Sequence, residues 1–284
     1  MPEEPTARQT LVSSDLRSAT GEDPRAPEEL TASDGDSSGD DLDTGVDSIE
    51  ALMTRLSGSR ASGTPRWYRG QTDFAWGLNP RLARNRGHLD GEVDMLKRFQ
   101  QDAGPRVRDR PRTFWEWICL AQHYGLPTRL LDWTENPLVG LYFAVQASGP
   151  INEETDGSFF ELEPQELNRR AFSDAPSVVM LDEDDFLDSY LPTAKPGPSM
   201  GPIAVIAGRS FDRIVAQVGT FTVSHRLTED LVSVHESSCV TKIRIPAAAK
   251  PHIRAALNDI NINASTVFPD LASLADHLRG LYTK

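Results

Sequence analysis

Apolar positions recur with a helical period through most of the first half of the chain and with a strand-like period in the second. Val93, Leu96, Phe99 and Gln100 trace one face over residues 90–103, and residues 113–124 form a more strongly apolar helical segment stopped by Gly125 and Pro127. Upstream, residues 48–56 predict a short amphipathic helix, followed by a Gly/Ser-rich link that ends at Pro65. Trp67 and Tyr68 then favour extended backbone, and Gly70 permits a turn or a close backbone approach. Residues 129–133 read as a short segment ending in a cap. Asn136-Pro137 places an amide N-cap before a proline at the first helical position. The helix so started carries Leu138, Leu141, Tyr142 and Val145 on one face.

In the second half, β-like runs fall at residues 158–162, 178–181, 203–207, 219–224 and 239–245. In the last of these, Thr241, Ile243 and Ile245 alternate with Val240, Lys242 and Arg244, as a half-exposed strand requires. Helices are expected again at residues 250–259 and 271–281, the latter with Leu271, Leu274, Ala275, Leu278 and Leu281 on one side. Helices first and strands later predict an α+β fold: a mainly helical N-terminal half, then a mixed or antiparallel sheet with flanking helices. The sequence holds no Gly-rich dinucleotide fingerprint and no P-loop, which argues against a Rossmann dehydrogenase or an ordinary NTPase.

Charge alters the domain picture more than the fold. The first 50 of the 284 residues hold fourteen acidic and three basic side chains, leaving 28 acidic and 26 basic in the remainder. Residues 1–46 are therefore expected to be a disordered acidic tail, too poor in apolar surface to offset the entropy of ordering. Residues 47–284 are expected to form a single domain. The near balance of charge in that domain argues against broad binding of duplex nucleic acid. Arg81, Arg84, Arg86, Lys97, Arg98, Arg106, Arg108, Arg110 and Arg112 form a local basic stretch, read either as a solvated face or as a surface that steers an anionic acceptor. No apolar run approaches the roughly 20 residues of a membrane span, and the acidic start lacks the features of a signal peptide, so a cytoplasmic protein without membrane association is expected. Cys119 and Cys239 are far apart and read as buried small hydrophobes, and no metal site is expected.

The candidate chemistry is concentrated in a few segments. Arg69, between two aromatics and a glycine at a strand end, presents a planar fork suited to phosphate or carboxylate, or else bonds backbone carbonyls. His123 lies near a helix C-terminus, either as a proton-transfer or orienting group or as a satisfied core histidine. Thr128, Arg129, Asp132, Trp133 and Thr134 are the densest polar cluster. Arg129 is expected either to orient a ligand, fixed by Asp132, or to pair with Asp132 only to hold the turn. Trp133 reads as a ring-stacking surface or as core. Thr134, Glu135 and Asn136 are all suited to capping the next helix. Gln217 is expected to begin a strand in which Phe221 and Val223 point inward, its amide orienting a ligand hydroxyl or simply marking an edge.

These segments together resemble the FRG domain family. The resemblance rests on Tyr68-Arg69-Gly70-Gln71, on the continuous run Ala121-Gln122-His123-Tyr124-Gly125-Leu126-Pro127-Thr128-Arg129-Leu130-Leu131-Asp132-Trp133-Thr134, and on Asn136-Pro137-Leu138 continuing to Tyr142-Phe143-Ala144. Asp156-Gly157 and Gln217-Val218-Gly219-Thr220-Phe221 extend it. The resemblance implies a bacterial protein of the kind associated with toxins or phage defence. A further similarity runs to ADP-ribosyltransferases, whose first motif is an aromatic-Arg-Gly strand that meets NAD. Arg69 matches that role. Gln217 stands near the place of those enzymes' acidic residue but is an amide, with Glu229 and Glu236 as the alternatives.

Two expectations of different class follow. In one, NAD is the cofactor, held between the Arg69 strand and residues 128–136 by Arg69, Gly70, Gln71, Thr128, Arg129, Asp132, Trp133, Thr134 and Asn136. Arg69, His123 and Gln217 would then serve ADP-ribose transfer to an unidentified protein or nucleic acid acceptor. In the other, the same cluster is the structural core of a non-catalytic module that reads a protein or a nucleotide.

Overall fold

The computed structural model describes residues 45–59, 63–147, 154–172, 179–195, 200–208, 212–225 and 239–283. The expected tail lies almost wholly outside these residues, as do Glu229 and Glu236. Among the described residues, six strands form one sheet: β1 (Trp67–Gln71), β2 (Leu130–Thr134), β3 (Gly157–Leu162), β4 (Ile203–Val205), β5 (Gly219–Val223) and β6 (Val240–Ile245). Their spatial order is β4-β5-β2-β1-β3-β6, with every neighbouring pair antiparallel. Among the described residues the helices include α1 (Ile49–Ser59), α2 (Arg86–Asp90), α3 (Glu92–Ala103), α4 (Phe114–His123), α5 (Pro137–Ala144), α6 (Pro164–Ala171), α7 (Asp212–Gln217), α8 (Lys250–Asp259), α9 (Ala264–Val267) and α10 (Leu271–Tyr282). The fold is α+β, with an antiparallel sheet.

Three segments depart from the sequence reading. Residues 129–133, expected only as a short capped segment, supply most of β2, which lies beside β1 at the middle of the sheet. Its pattern misleads because it carries Asp132 among Leu130, Leu131 and Trp133, so neither a clean alternation nor an unbroken apolar run is visible. Gln217, expected to open a strand, instead closes α7, and Val218 at φ 46° turns the chain into β5. The run expected at residues 178–181 contributes a single bridge, Met180 opposite Ile206, among the described residues.

The helices start where local chemistry places them. Thr113 caps α4 in a reciprocal box with Glu116, and Asn136 caps α5 by accepting from the Leu138 N–H at 2.9 Å. α5 lies directly on β1. A Cβ on Gly70 would stand 2.0 Å from the Gly140 carbonyl oxygen and 2.3 Å from the Ala144 nitrogen, so only glycine allows this approach.

The core has three apolar clusters. One joins Tyr68, Phe159, Ile243 and Ile245 to α1, α5 and α8, and a second joins Leu130, Phe221, Val223, Ile203 and Val205 to α3 and α4. A third gathers Trp67, Leu131, Trp133, Phe160 and Leu162. The third spans the boundary between β1 and β2, with Trp67 from one strand and Leu131 and Trp133 from the other. There the pairing is a single register pair, Tyr68 opposite Thr134, whereas β1 pairs with β3 at five positions. The centre of the sheet is thus open along most of β1 and β2, and the candidate site lies at that opening.

Candidate functional site

Arg69 reaches into the gap. Strand alternation places it on the opposite face from Tyr68 and Gly70, and its Nη1 donates to the Asp132 carbonyl oxygen at 2.6 Å. Its Nε is shielded from solvent and has no hydrogen-bond partner. Burial pulls the Arg69 pKa down to about 10; the Asp132 charge opposes this shift and the nearby Arg84 charge reinforces it.

A cavity of about 220 Å³ opens beside this guanidinium, lined by Arg69, Arg81, Arg84, Arg213, Gln122 and Asp132, with Thr128, Leu130 and Leu131 along its β2 side. Four guanidinium groups face one carboxylate. Arg84 is itself lowered in pKa, by burial and then by Arg81. Four cations against one lining carboxylate favour an anionic ligand, and the volume suits a phosphate or pyrophosphate better than a whole dinucleotide. A smaller cavity of about 60 Å³ adjoins it, lined by His123, Gln217, Cys119 and Thr220 among others. Gln122, Asp132 and Arg213 line both.

Asp132 is the hinge of this arrangement. Gln122 Nε2 donates to its Oδ1 at 2.6 Å, while Gln122 Oε1 accepts from Thr128 Oγ1. The Thr128–Gln122–Asp132 relay therefore fixes the carboxylate at the junction of the two cavities. His123 has its pKa lowered by burial and by Arg213, against the pull of Asp212 and Asp270. A neutral imidazole at neutral pH follows.

Several expected site residues make contacts within the fold. The expected Arg129–Asp132 pair is not formed. Arg129 is buried and grips Glu92 with two parallel bonds of 2.8 and 2.5 Å, while its Nη1 donates to the carbonyls of Tyr190 and His225. A buried guanidinium needs a carboxylate that is also buried, and Glu92 is, whereas Asp132 is exposed. Trp133 packs in the third cluster and donates its indole N–H to Thr222 at 3.1 Å, while also lining the smaller cavity. Thr134 donates to the Gln217 carbonyl and accepts from the Asn136 N–H. Asn136 is the α5 cap, and Gly70 is the contact point for α5. Gln71 donates to the Gly77 carbonyl at 3.2 Å and so holds the loop after β1. Gln217 donates its amide to the Val267 carbonyl at 3.1 Å while also lining the smaller cavity.

The structure therefore brings Arg69, Thr128 and Asp132 to one cavity, and His123, Asp132, Trp133 and Gln217 to the other. Sequence reasoning missed Gln122 and Arg213 as cavity residues and took Arg81 and Arg84 only as surface charge. The single available signal was Gln122 next to His123 at the end of an apolar helix. Nothing in the local sequence marks Arg213.

Residues 64–153 match the family model of the FRG domain, so the chain contains an FRG domain. The matched stretch includes β1, β2, α4 and α5 and hence Arg69, Gln122, Thr128 and Asp132, while Arg213 and Gln217 lie beyond it. No curated protein and no solved structure matches the chain.

Proposed function

We propose that a chain whose FRG domain supplies most of this cavity binds NAD as a substrate and transfers its ADP-ribose to a macromolecular acceptor. The observation that carries the reading is the convergence of Arg69, Arg81, Arg84 and Arg213 on one cavity that also holds Asp132. The arginines suit the pyrophosphate of NAD, and the unpartnered Arg69 Nε is a donor that a phosphate oxygen would satisfy. In the transfer, the bond between C1′ of the nicotinamide ribose and the ring nitrogen breaks, and its electron pair leaves on nicotinamide. The acceptor nucleophile bonds to C1′ and gives its proton to the Asp132 carboxylate. A carboxylate is needed to balance the positive charge that develops on the ribose, and Asp132 supplies it where Gln217 does not.

A second reading, a non-catalytic module that recognises a phosphate-bearing ligand, is favoured by one observation. Gln217, standing where transferases place a carboxylate, uses its amide to hold Val267. The two readings separate in one experiment: calorimetry with NAD, together with measurement of nicotinamide release in a cell lysate that supplies acceptors. Transfer predicts both binding and release, each lost in Arg69→Ala, with release alone lost in Asp132→Asn. Binding without release supports the module. Neither binding nor release, with Arg69→Ala indistinguishable from the parent, refutes the transferase.

A further inference from the structure

We propose that the rim of the arginine cavity binds an unpaired nucleic acid strand; this rests on the transfer reading only in naming that strand as the acceptor. Outside α10, two aromatic rings are exposed among the described residues, Trp76 at 46 % and Tyr124 at 69 %. Each belongs to a segment tied to a cavity arginine. Arg81 Nη1 donates to the carbonyl of Gly125, the residue after Tyr124, at 3.3 Å. Arg84 donates through Nε and Nη2 to the carbonyl of Asn79, in the loop that carries Trp76, at 3.2 and 3.0 Å. Two exposed rings are thus linked through two guanidinium groups that also open into the cavity.

Both rings stand on anchored segments. The Trp76 loop is pinned at Phe74, whose N–H donates to Asp156 at 2.7 Å, whose carbonyl accepts from Lys242 Nζ at 2.5 Å, and whose ring lies under the charges of Lys242 and Arg244, each at 4.1 Å. Gln71 holds the same loop at Gly77. Tyr124 closes α4 and meets His123 edge-on, with ring centroids 4.9 Å apart. Exposing a large ring to water is unfavourable, and anchoring the segment that carries it lowers the entropy cost of ordering when a partner arrives. Rings that offer a flat face, interleaved with cations that take phosphate, match the chemistry of single-stranded nucleic acid, where bases stack on aromatics and phosphates pair with arginine. A duplex keeps its bases stacked inside and cannot use the rings.

The test is fluorescence anisotropy of the full chain with labelled 20-nucleotide single-stranded DNA and RNA and with the matching duplexes. Single strands should bind more tightly than duplex. Trp76→Ala and Tyr124→Ala should each weaken single-strand binding by about fivefold or more with melting temperature unchanged, and Arg81→Ala should reduce the log–log salt slope by about 0.7. Equal affinity for duplex, indifference to both aromatic substitutions, or no binding would each overturn the proposal. Nicotinamide release in a lysate freed of nucleic acid, measured on the same preparations, keeps the two readings apart. Release there without strand binding defeats this proposal and leaves the transferase standing; strand binding without release in any lysate does the reverse.

Discussion

Arg69 and Asp132 meet across the open centre of the sheet, the guanidinium of one donating to the main-chain carbonyl of the other at 2.6 Å. The contact spans two adjacent strands that share only the Tyr68–Thr134 pair, so the side chain of β1 supplies a donor where the ladder does not. The same guanidinium is held in a setting that disfavours its charge. These two facts have opposite consequences for stability and the same consequence for ligand binding.

Arg69→Ala should accordingly change stability little. Loss of a charge-assisted hydrogen bond costs about 1.5–3 kcal/mol, while relief from burial and from Arg84 offsets it. Net destabilisation within about 1 kcal/mol is expected from the cancellation of these opposing effects. Inorganic pyrophosphate should raise the melting temperature of the parent and leave that of Arg69→Ala unmoved. An unchanged pyrophosphate shift in the variant would show that Arg69 is structural.

Arg129 should behave in the opposite way. Arg129→Met strands the buried Glu92 carboxylate and the carbonyls of Tyr190 and His225, at a cost of about 3–5 kcal/mol in denaturant unfolding. The double variant Arg129→Met, Glu92→Leu should recover much of that loss, since a well-packed apolar pair can replace a buried ion pair. Pyrophosphate binding per folded molecule should be preserved in the double variant. Loss of binding at full stability would return Arg129 to the site.

The contrast between these arginines marks how far the sequence is legible. Capping and periodicity are local, so α3, α4, α5, α8 and α10 and most of the later strands are readable from spacing alone, and so is the Arg69 strand. Partner choice is not local. Arg129 lies three residues from Asp132 and 37 from Glu92, and short spacing favours the wrong partner because burial cannot be read from the letters. Arg213 joins the cavity only because α7 packs beside β5 and α9, a consequence of the folded sheet. Gln122 is in the motif itself, yet its two bonds to Thr128 and Asp132 require α4 to end over β2, which was not recognised as a strand.

Gly70 is expected to be the most sensitive small residue in the motif, for reasons of packing. Any side chain there would collide with the backbone of α5, which cannot move as a flexible side chain could. Gly70→Ala should destabilise by about 3 kcal/mol or more or leave no soluble protein. Gly140→Ala is a graded control on the facing helix, because its Cβ would meet the side-chain atoms of Tyr68 and Phe159 at 3.0 and 3.1 Å. A smaller loss is expected there. A Gly70→Ala protein that melts like the parent would mean that α5 does not lie on β1 as described.

His123 links the site to pH, and the sign follows from its surroundings. Burial and Arg213 hold its pKa below the ordinary 6.5, with Asp212 and Asp270 pulling the other way. Between the folded pKa and 6.5 the unfolded chain binds more protons than the folded one, so stability rises with pH through that window. The contribution is fully present above 6.5 and is lost as pH falls through the folded value. Asp156 and Asp270, whose pKa values are lowered from 3.8, lose their contributions only in stronger acid, whereas burial raises Asp182, so the His123 part of the change in urea midpoint between pH 7.5 and pH 5 is read as the difference between the parent and His123→Gln. His123→Gln should flatten the pH dependence over that interval. Arg213→Ala should reduce it, by letting the pKa rise toward 6.5, and Asp212→Asn should increase it, by removing an attraction for the proton. An Arg213→Ala protein with a steeper acid loss than the parent would reverse the assigned cause and place another charge beside the imidazole. Because His123 and Asp132 line the same cavity while Arg213 borders both cavities, an anion seated on Arg213 would screen that charge. Pyrophosphate should therefore raise the His123 pKa, an upfield-to-downfield shift of its ring protons that NMR titration reads directly.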